Sequence, residues 1–269
     1  MESGANSISS SQAAGGFTSQ LTFASLNRLN YSTVDFVGTG LGGDLQNQIR
    51  FNTVPSTQDH GLIGAWATVG TEFAKYGSFG VTAMSGADYA LNTAVSTWTF
   101  KQNIKQTASS TLTSSRNVNS LNLAQVGATT VDLGGNTLRI ESGGLLVSGN
   151  FDSAITNGTL TAGTSANTTG ELVVHQTAAA STLTIGASIG NNGTGEVAFT
   201  KSGAGAVVLA GSNTFTGGIT VNAGTLRLGN AQAVAVGNRL AIEGGTLDLN
   251  GYNVTAGALS SASLRPHWA

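Results

Sequence analysis

Two pairs of polar residues in the first hundred positions have the side-chain types that acid–base or nucleophilic chemistry uses. Asp59 directly precedes His60, and a carboxylate beside an imidazole can raise the pKa of the ring and orient it as a general base. Ser85 and Asp88 lie close together beside a glycine. If the chain is an enzyme, these four residues are the predicted catalytic set. Adjacent side chains usually point apart, however, and neither pair has the strand-turn-helix context of a nucleophile elbow, so polar turns are the favoured interpretation of both pairs.

Two tyrosines are the candidate ligand-binding residues, because their rings can stack on sugar rings. Tyr76 and Tyr89 flank residues 77–92, which the sequence predicts to be the largest loop, so we expect both rings on an exposed patch. His175 ends a strand-like run in which alternation places it on the same face as Glu171. We expect that face to be solvated.

Short strands separated by glycine-rich turns make up most of the chain. Residues 199–230 contain three short apolar runs, and two similar runs follow at 240–242 and 247–249. Each run is too short for a helix, and the glycines and asparagines between them suit tight turns. Equivalent runs recur about every 20 residues, which is within the range for solenoid repeats. The sequence therefore predicts an all-β fold of stacked coils.

A pattern of fixed positions within residues 199–230 resembles the autotransporter-associated β-strand repeat. It reads K-x-G-x-G, strand, G-x-N-x-aromatic-x-G-G, strand, N-x-G-x-L, and its fixed positions are Lys201, Gly203, Gly205, Gly211, Asn213, Phe215, Gly217, Gly218, Asn222, Gly224 and Leu226. The resemblance implies a right-handed parallel β-helix (β-solenoid). It also implies a passenger domain, exported through an outer-membrane barrel translocator of the parent protein, and therefore a secreted or cell-surface location.

Composition agrees with an exported, β-rich protein. Charged residues make up only 9% of the chain and hydrophobic residues 40%, and 38 of the 269 residues are glycine. The net charge of −2 and the lack of basic runs argue against nucleic acid and anionic membranes as partners. The absence of cysteine excludes disulfides. No apolar stretch is long enough for a transmembrane helix, and the first residues lack the features of a signal peptide.

The predicted organisation is one continuous β-helix, because no proline-rich or charged linker divides the chain. It has a loose lead-in at 1–16, a single β-helix at 17–260 and a non-native-looking tail at 261–269. Within the β-helix, the coils at 17–94 are irregular and bear loops. The coils at 95–260 are regular and include the repeat at 199–230.

Acidic residues are scattered singly, and none fits an EF-hand or a G-G-x-G-x-D calcium repeat. Stacked coils would bring Asp132 near Asp152, and Glu171 near Glu196. Asp132 and Asp152 are therefore the candidates for a Ca²⁺ site between coils, and no other cofactor is expected.

Three functions remain open from the residues alone. The leading hypothesis is a non-enzymatic passenger fragment, a structural or adhesin-type stalk whose partners are glycans or surface proteins of a host or the environment. The rival is a hydrolase or lyase on the same scaffold, acting on an ester, lactone or polysaccharide from loops of the first hundred residues. The third is a carbohydrate-binding module centred on Tyr76 and Tyr89.

Overall fold

The computed structural model describes residues 1–12 and 18–261, and strands dominate this part of the chain. Its helical segments are three short 3-10 turns, at Asp59–Gly61, Gly86–Asp88 and Val95–Thr97. Within the described ranges, no helix has the length and hydropathy to cross a membrane. The predicted tail at 261–269 lies outside the described residues, except for Ser261.

Seven strands form what we call the N-terminal module. They are β1 (Ala5–Ser9), β2 (Ser19–Phe23), β3 (Thr33–Val37), β4 (Asn47–Phe51), β5 (Ala67–Val69), β6 (Glu72–Gly77) and β7 (Gly80–Ala83). β1, β3 and β5 pair in parallel, and so do β2 and β4, so the chain winds through two short coils. β5, β6 and β7 then pair antiparallel, which ends the coiling.

Two expectations for this region are wrong. The sequence predicts a loose lead-in at 1–16; residues 13–16 lie outside the described residues, but β1 within this segment pairs with β3 along its whole length. It also predicts the largest loop at 77–92, but β7 folds back on β6 as a hairpin within that segment. Small and polar residues give these segments little hydrophobic periodicity, and cross-strand partners supply the order that local propensity does not.

Eighteen further strands form the solenoid. They are β8 (Ala90–Leu91), β9 (Asn103–Gln106), β10 (Ser110–Thr111), β11 (Arg116–Leu123), β12 (Thr129–Asp132), β13 (Thr137–Val147), β14 (Ser153–Thr156), β15 (Thr159–Ala162), β16 (Gly170–Gln176), β17 (Thr182–Ile185), β18 (Ser188–Ile189), β19 (Val197–Ser202), β20 (Ala206–Leu209), β21 (Ile219–Val221), β22 (Thr225–Leu228), β23 (Arg239–Ile242), β24 (Thr246–Asp248) and β25 (Ala258–Ser261).

The solenoid strands stack into two parallel sheets. The long sheet runs β8-β9-β11-β13-β16-β19-β21-β23-β25, with β15 and β18 attached beside β13, and the second sheet runs β10-β12-β14-β17-β20-β22-β24. Phe199 pairs with Ile219, and Ile219 with Leu240, so a coil in this C-terminal part takes about 20 residues, as the sequence indicates there. The predicted all-β parallel solenoid is confirmed.

Inward-facing side chains of both sheets meet in one apolar core that runs the length of the solenoid. Phe199 and Phe215 pack with ring centroids 6.2 Å apart, as neighbouring parts of this core. Each coil offers its unpaired strand edges and part of its apolar interior to the next, so the coils stabilise one another through nearest neighbours.

The N-terminal module lies against the outer face of the long sheet. Core residues such as Leu145 and Val174 point inward, so the side chains beside them in each strand point out toward the module. Five outward residues of successive strands stand side by side, and we call them the covered row: Lys105, Asn122, Leu146, His175 and Ser202.

Candidate functional site at the junction of the module and the solenoid

One end of the covered row is held by a carboxylate of the module. Glu72 forms an ion pair with Lys105 and accepts a hydrogen bond of 3.1 Å from Asn122 Nδ2. Beside them, Phe73 packs with Leu146 in a small apolar cluster that is separate from the solenoid core. The module therefore buries its own apolar residues against the outside of the long sheet.

Further along the row, the predicted solvated position of His175 is wrong. Only 3% of the residue is exposed, and Nε2 lies 2.9 Å from the backbone oxygen of Ala65. Because a carbonyl can only accept, Nε2 carries the proton and donates it. Burial lowers the pKa of His175 to about 4, helped by the positive charges of Lys201 and Arg28 and opposed by the bond to Ala65. The imidazole is therefore neutral at neutral pH.

Glu171, also expected to face solvent, is an anchor for the module instead. Arg28 donates two hydrogen bonds to its carboxylate, from Nη1 to Oε2 at 2.5 Å and from Nη2 to Oε1 at 2.8 Å. The guanidinium also lies 5.5 Å from the ring centroid of Trp66, and Thr200 donates to the same carboxylate. A two-pronged, partly buried pair of this kind fixes orientation as well as adding energy.

A cleft of about 430 Å³ opens where the module meets the row, and we call it the junction cleft. His175 and Ser202 line one wall, and Asp35 and Thr68 line the other. Asp35 Oδ1 accepts from Thr68 Oγ1 at 2.9 Å and from a backbone amide, yet burial outweighs these bonds and raises the pKa of the carboxyl.

The junction cleft thus collects the three side-chain types of a serine hydrolase, but their hydrogen bonds lead elsewhere. Ser202 Oγ is bonded to Thr33 Oγ1 at 2.8 Å, His175 to a backbone oxygen, and Asp35 to its own module. A triad needs the base bonded to the nucleophile and the acid bonded to the base. In the described part of the chain these bonds are not made.

Asp59 and His60 form a 3-10 turn on the surface of the module. His60 is exposed and has left-handed backbone angles of φ 59° and ψ 24°. Asp59 Oδ1 lies 3.8 Å from Lys101 Nζ of the solenoid. The turn that the sequence favours is present, and a catalytic role for either residue stays a prediction.

Ser85 and Asp88 form a capping box at the start of another 3-10 turn. Asp88 Oδ2 accepts from the backbone amide of Ser85 at 2.7 Å and from its hydroxyl at 2.9 Å, and Lys75 Nζ lies 2.7 Å from the same oxygen. Burial raises the pKa of Asp88, but the hydrogen bonds from Lys75 and Ser85 outweigh it and leave the pKa lowered. A carboxylate so stabilised is a poor base for activating the hydroxyl.

The two candidate tyrosines do not form the exposed patch that the sequence predicts. Tyr89 is only 8% exposed and belongs to the small apolar cluster around Phe73, and burial together with the charge of Glu72 raises its pKa. Tyr76 is partly buried, and its hydroxyl accepts a hydrogen bond of 2.9 Å from the backbone amide of Phe51. Tyr76 lies in β6 of the hairpin and Tyr89 lies directly before β8, so neither ring is on a loop that projects from the surface.

The candidate calcium ligands are not stacked on each other. Asp132 pairs in register with Thr156 and caps the amide of Gly134, whereas Asp152 binds the amide of Thr182. Nor does the register pair the other two predicted neighbours, since Glu171 lies opposite Ala198 and not Glu196. Among residues 1–12 and 18–261, no group of three or more His, Cys, Asp or Glu side chains is placed to hold a metal ion. A Ca²⁺ site between coils stays a prediction.

Sequence reasoning missed the role of Lys201, the first fixed position of the repeat. The side chain points into the solenoid and is fully buried, and Nζ donates to the backbone oxygens of Ser202, Gly203 and Ala223 at 2.7, 2.7 and 3.0 Å. Burial lowers its pKa to about 7. The ammonium group thereby ties a corner of one coil to the same corner of the next.

A glycine makes room for this lysine corner. Gly224 has a φ of +65°, and a Cβ there would lie 2.4 Å from two backbone oxygens of the preceding coil and 2.8 Å from Lys201 Nζ. One signal in the sequence could have revealed this corner. Lys201 follows the buried Phe199 by two residues, so alternation along the strand places the lysine side chain on the same, inward-facing side.

Parallel coils stacked through two sheets, with one repeat of fixed glycine and asparagine positions, define the protein as a β-solenoid of the passenger type. A family model described as the passenger-associated-transport-repeat matches residues 199–228. The chain is 30% identical over 274 residues to the adhesin BmaC autotransporter of Brucella suis biovar 1 (strain 1330), an alignment that covers 94% of this chain.

The chain spans about 7% of the length of that relative. No solved structure matches the chain significantly. The repeat, the similarity and the solenoid fold confirm the autotransporter passenger domain that the sequence resemblance implied.

Proposed function

We propose that this chain is an adhesin-type segment of an exported passenger, in which the solenoid is a rigid spine and the N-terminal module is carried on its side. The observation that supports it most is the passenger repeat built into a coil stack, in a chain similar to a segment of an autotransporter adhesin. Its surface location, and a barrel translocator elsewhere in the parent protein, belong to the same proposal.

The architecture suits such a role. A continuous core and nearest-neighbour stacking give a stiff support that can be lengthened by adding coils. The module adds irregular surface and two clefts at its contact with the spine, where binding groups are held by rigid strands. The partners we propose are surface proteins or glycans of a host or the environment.

The test is bead adhesion with the full 269-residue chain. Beads coated with the chain should bind to epithelial cell layers or to extracellular matrix more than beads coated with serum albumin, and soluble chain should compete for that binding. Failure of both surfaces to retain the beads above the albumin level, or failure of soluble chain to compete, would contradict the adhesin role.

The same preparation tests the enzymatic rival. The chain and its His60→Ala variant should show no turnover of a panel of esters, lactones and polysaccharides, with or without chelator. Turnover that the substitution abolishes would overturn the structural role and place chemistry at the turn of Asp59 and His60.

A further inference from the structure

A second cleft lies at the other edge of the junction, where the turn of Asp59 meets the first coils of the solenoid, and we call it the end cleft. Its volume is about 450 Å³, within the range of small-molecule sites. Residues of both units line it, with an aromatic ring, two carboxylates, a lysine and an amide among them: Asp59, Phe100, Lys101, Asn119 and Glu141.

An irregularity in the long sheet aims side chains into the end cleft. The register between β11 and β13 shifts between Val118 and Ser120, so that Asn119 faces the extra residues of β13, which include Glu141 and Ser142. Such bulges redirect side chains that a regular ladder would place on one face or the other. Here both strands turn polar groups toward the same space.

The amide of Asn119 is a buried group with one free acceptor. The residue is only 3% exposed, and its Nδ2 is tied to Asn103 Oδ1 at 2.7 Å, which fixes the orientation of the amide. Among the described residues no donor lies on Asn119 Oδ1, although the residue lines the cleft. An acceptor left open at the wall of a cleft can receive a hydrogen bond from a ligand that carries a hydroxyl or amide donor.

Phe100 adds an apolar platform to these polar groups. Its ring is 59% exposed, and Lys101 Nζ lies 5.6 Å from its centroid. An aromatic face carries partial negative charge and attracts the weakly positive C–H groups on one side of a pyranose ring. The lysine itself is held by the cleft, since its backbone amide donates to Glu141 Oε2 at 3.0 Å.

We propose that the end cleft is a saccharide subsite, with Phe100 as the stacking surface and Asn119, Asp59 and Glu141 as acceptors for sugar hydroxyls. Two carboxylates against one lysine leave the cleft with a formal charge of −1. Such a site favours neutral oligosaccharides over sialylated or sulfated ones. The subsite names a ligand class for the proposed adhesin role, on which it rests, and it uses different residues from the two predicted tyrosines.

The test is titration calorimetry of the full chain with three probes: maltotriose, triacetylchitotriose and the anionic 3′-sialyllactose. At least one neutral probe should bind, and sialyllactose should bind at least tenfold more weakly. Phe100→Ala should weaken the neutral probe about tenfold or more, the equivalent of about 1.4 kcal/mol. Glu141→Gln, which keeps an oxygen for the Lys101 amide, should weaken it severalfold.

The matched control is Phe151→Ala, which removes another exposed phenylalanine of the solenoid outside the cleft. It should bind like the unchanged chain. The proposal is overturned if neither neutral probe binds at 10 mM, if sialyllactose binds as tightly, or if Phe100→Ala and Phe151→Ala have the same affinity. Bead adhesion that persists in these cases would show that only the subsite is wrong, whereas loss of adhesion in the unchanged chain would remove the role itself.

Discussion

The N-terminal module and the solenoid are both wound from parallel strands, but they differ in how many coils they stack and in how they bury their surfaces. In the module, Ala5 pairs with Thr33 and Ser19 with Asn47, an advance of 28 residues per coil. Within the solenoid the advance varies: it is 20 residues from Phe199 to Ile219 but 29 residues from Gly144 to Val173. The module stops after two coils and closes with an antiparallel hairpin, whereas the solenoid continues through the whole described remainder.

The two units therefore depend on different contacts. The solenoid encloses its own core, and each coil is supported by the coils on either side. The module has a small core of its own, yet Phe73 and its neighbours are covered only where they meet Leu146 of the solenoid. Regular repetition makes a unit self-sufficient, and irregular coils need an external surface to pack on. Four predictions test this contrast.

The largest effect is expected for Phe199→Ala, inside the solenoid. The ring is fully buried and packs on Phe215, so its removal leaves a cavity that stacked strands cannot easily close. We expect a loss of about 3–5 kcal/mol in the free energy of unfolding, measured by urea titration followed by circular dichroism. Phe151→Ala, at an exposed ring, should change it by no more than about 0.5 kcal/mol. Equal urea midpoints for the two variants would contradict a core that holds the coils together.

A smaller, pH-dependent effect is expected at His175, on the contact between the units. Its pKa is lowered to about 4 in the folded protein, so the unfolded chain binds the proton more readily. The contribution of this group to stability is therefore complete above pH 6.5 and is lost as the pH falls toward 4, a change of about 3 kcal/mol.

His175→Gln should flatten that dependence, because glutamine can still donate to Ala65 without titrating. The matched control is His60→Gln at the exposed histidine, which should keep the slope of the unchanged chain. Urea titrations at pH 4, 5, 6 and 7 give the comparison. A His175→Gln variant that loses stability with acid as steeply as the control would show that this imidazole does not govern the junction.

A third effect concerns the attachment of the module by Arg28 and Glu171. A double-mutant cycle with Arg28→Met and Glu171→Gln should give a coupling energy of about 1–2 kcal/mol, because the two-pronged pair is mostly buried. Hydrogen exchange should report faster opening of the module strands, with β17, β20 and β22 of the second solenoid sheet unchanged. Equal acceleration in both units would mean that they unfold together rather than separately.

The smallest effect is expected at His60, whose side chain is exposed. Its left-handed backbone suits glycine better than a branched side chain, so His60→Gly should leave stability within about 1 kcal/mol of the unchanged chain, in the stabilising direction. Thermal melting measures this. A strong destabilisation would reveal that the imidazole makes contacts on which the turn depends.

Much of the solenoid could be predicted from sequence because its information is local and repeated. The runs within residues 199–230 become β20, β21 and β22, and the spacing of about 20 residues becomes the coil. Glycine and asparagine mark the corners, and a period visible in the residues needs no knowledge of distant partners.

The site at the junction could not be read in the same way, because it depends on which unit covers which face. Alternation correctly places Glu171 and His175 on one face of β16, but it does not say that the module lies over that face. One signal was available. Every residue in 145–147 and in 172–174 is apolar, on both alternating faces of the strand. Such continuous apolar runs indicate strands that are buried on two sides.

The direction in which the module lies across the covered row has a consequence for the order of assembly. Contacts run backwards along the solenoid, since Tyr31 meets Asn222, Ala65 meets His175 and Glu72 meets Lys105. The first of these joins residues 191 positions apart, a loop whose closure costs entropy before any contact repays it. We therefore expect the module to complete its contacts only after the coils up to Asn222 have formed, because those coils supply the surface on which it docks.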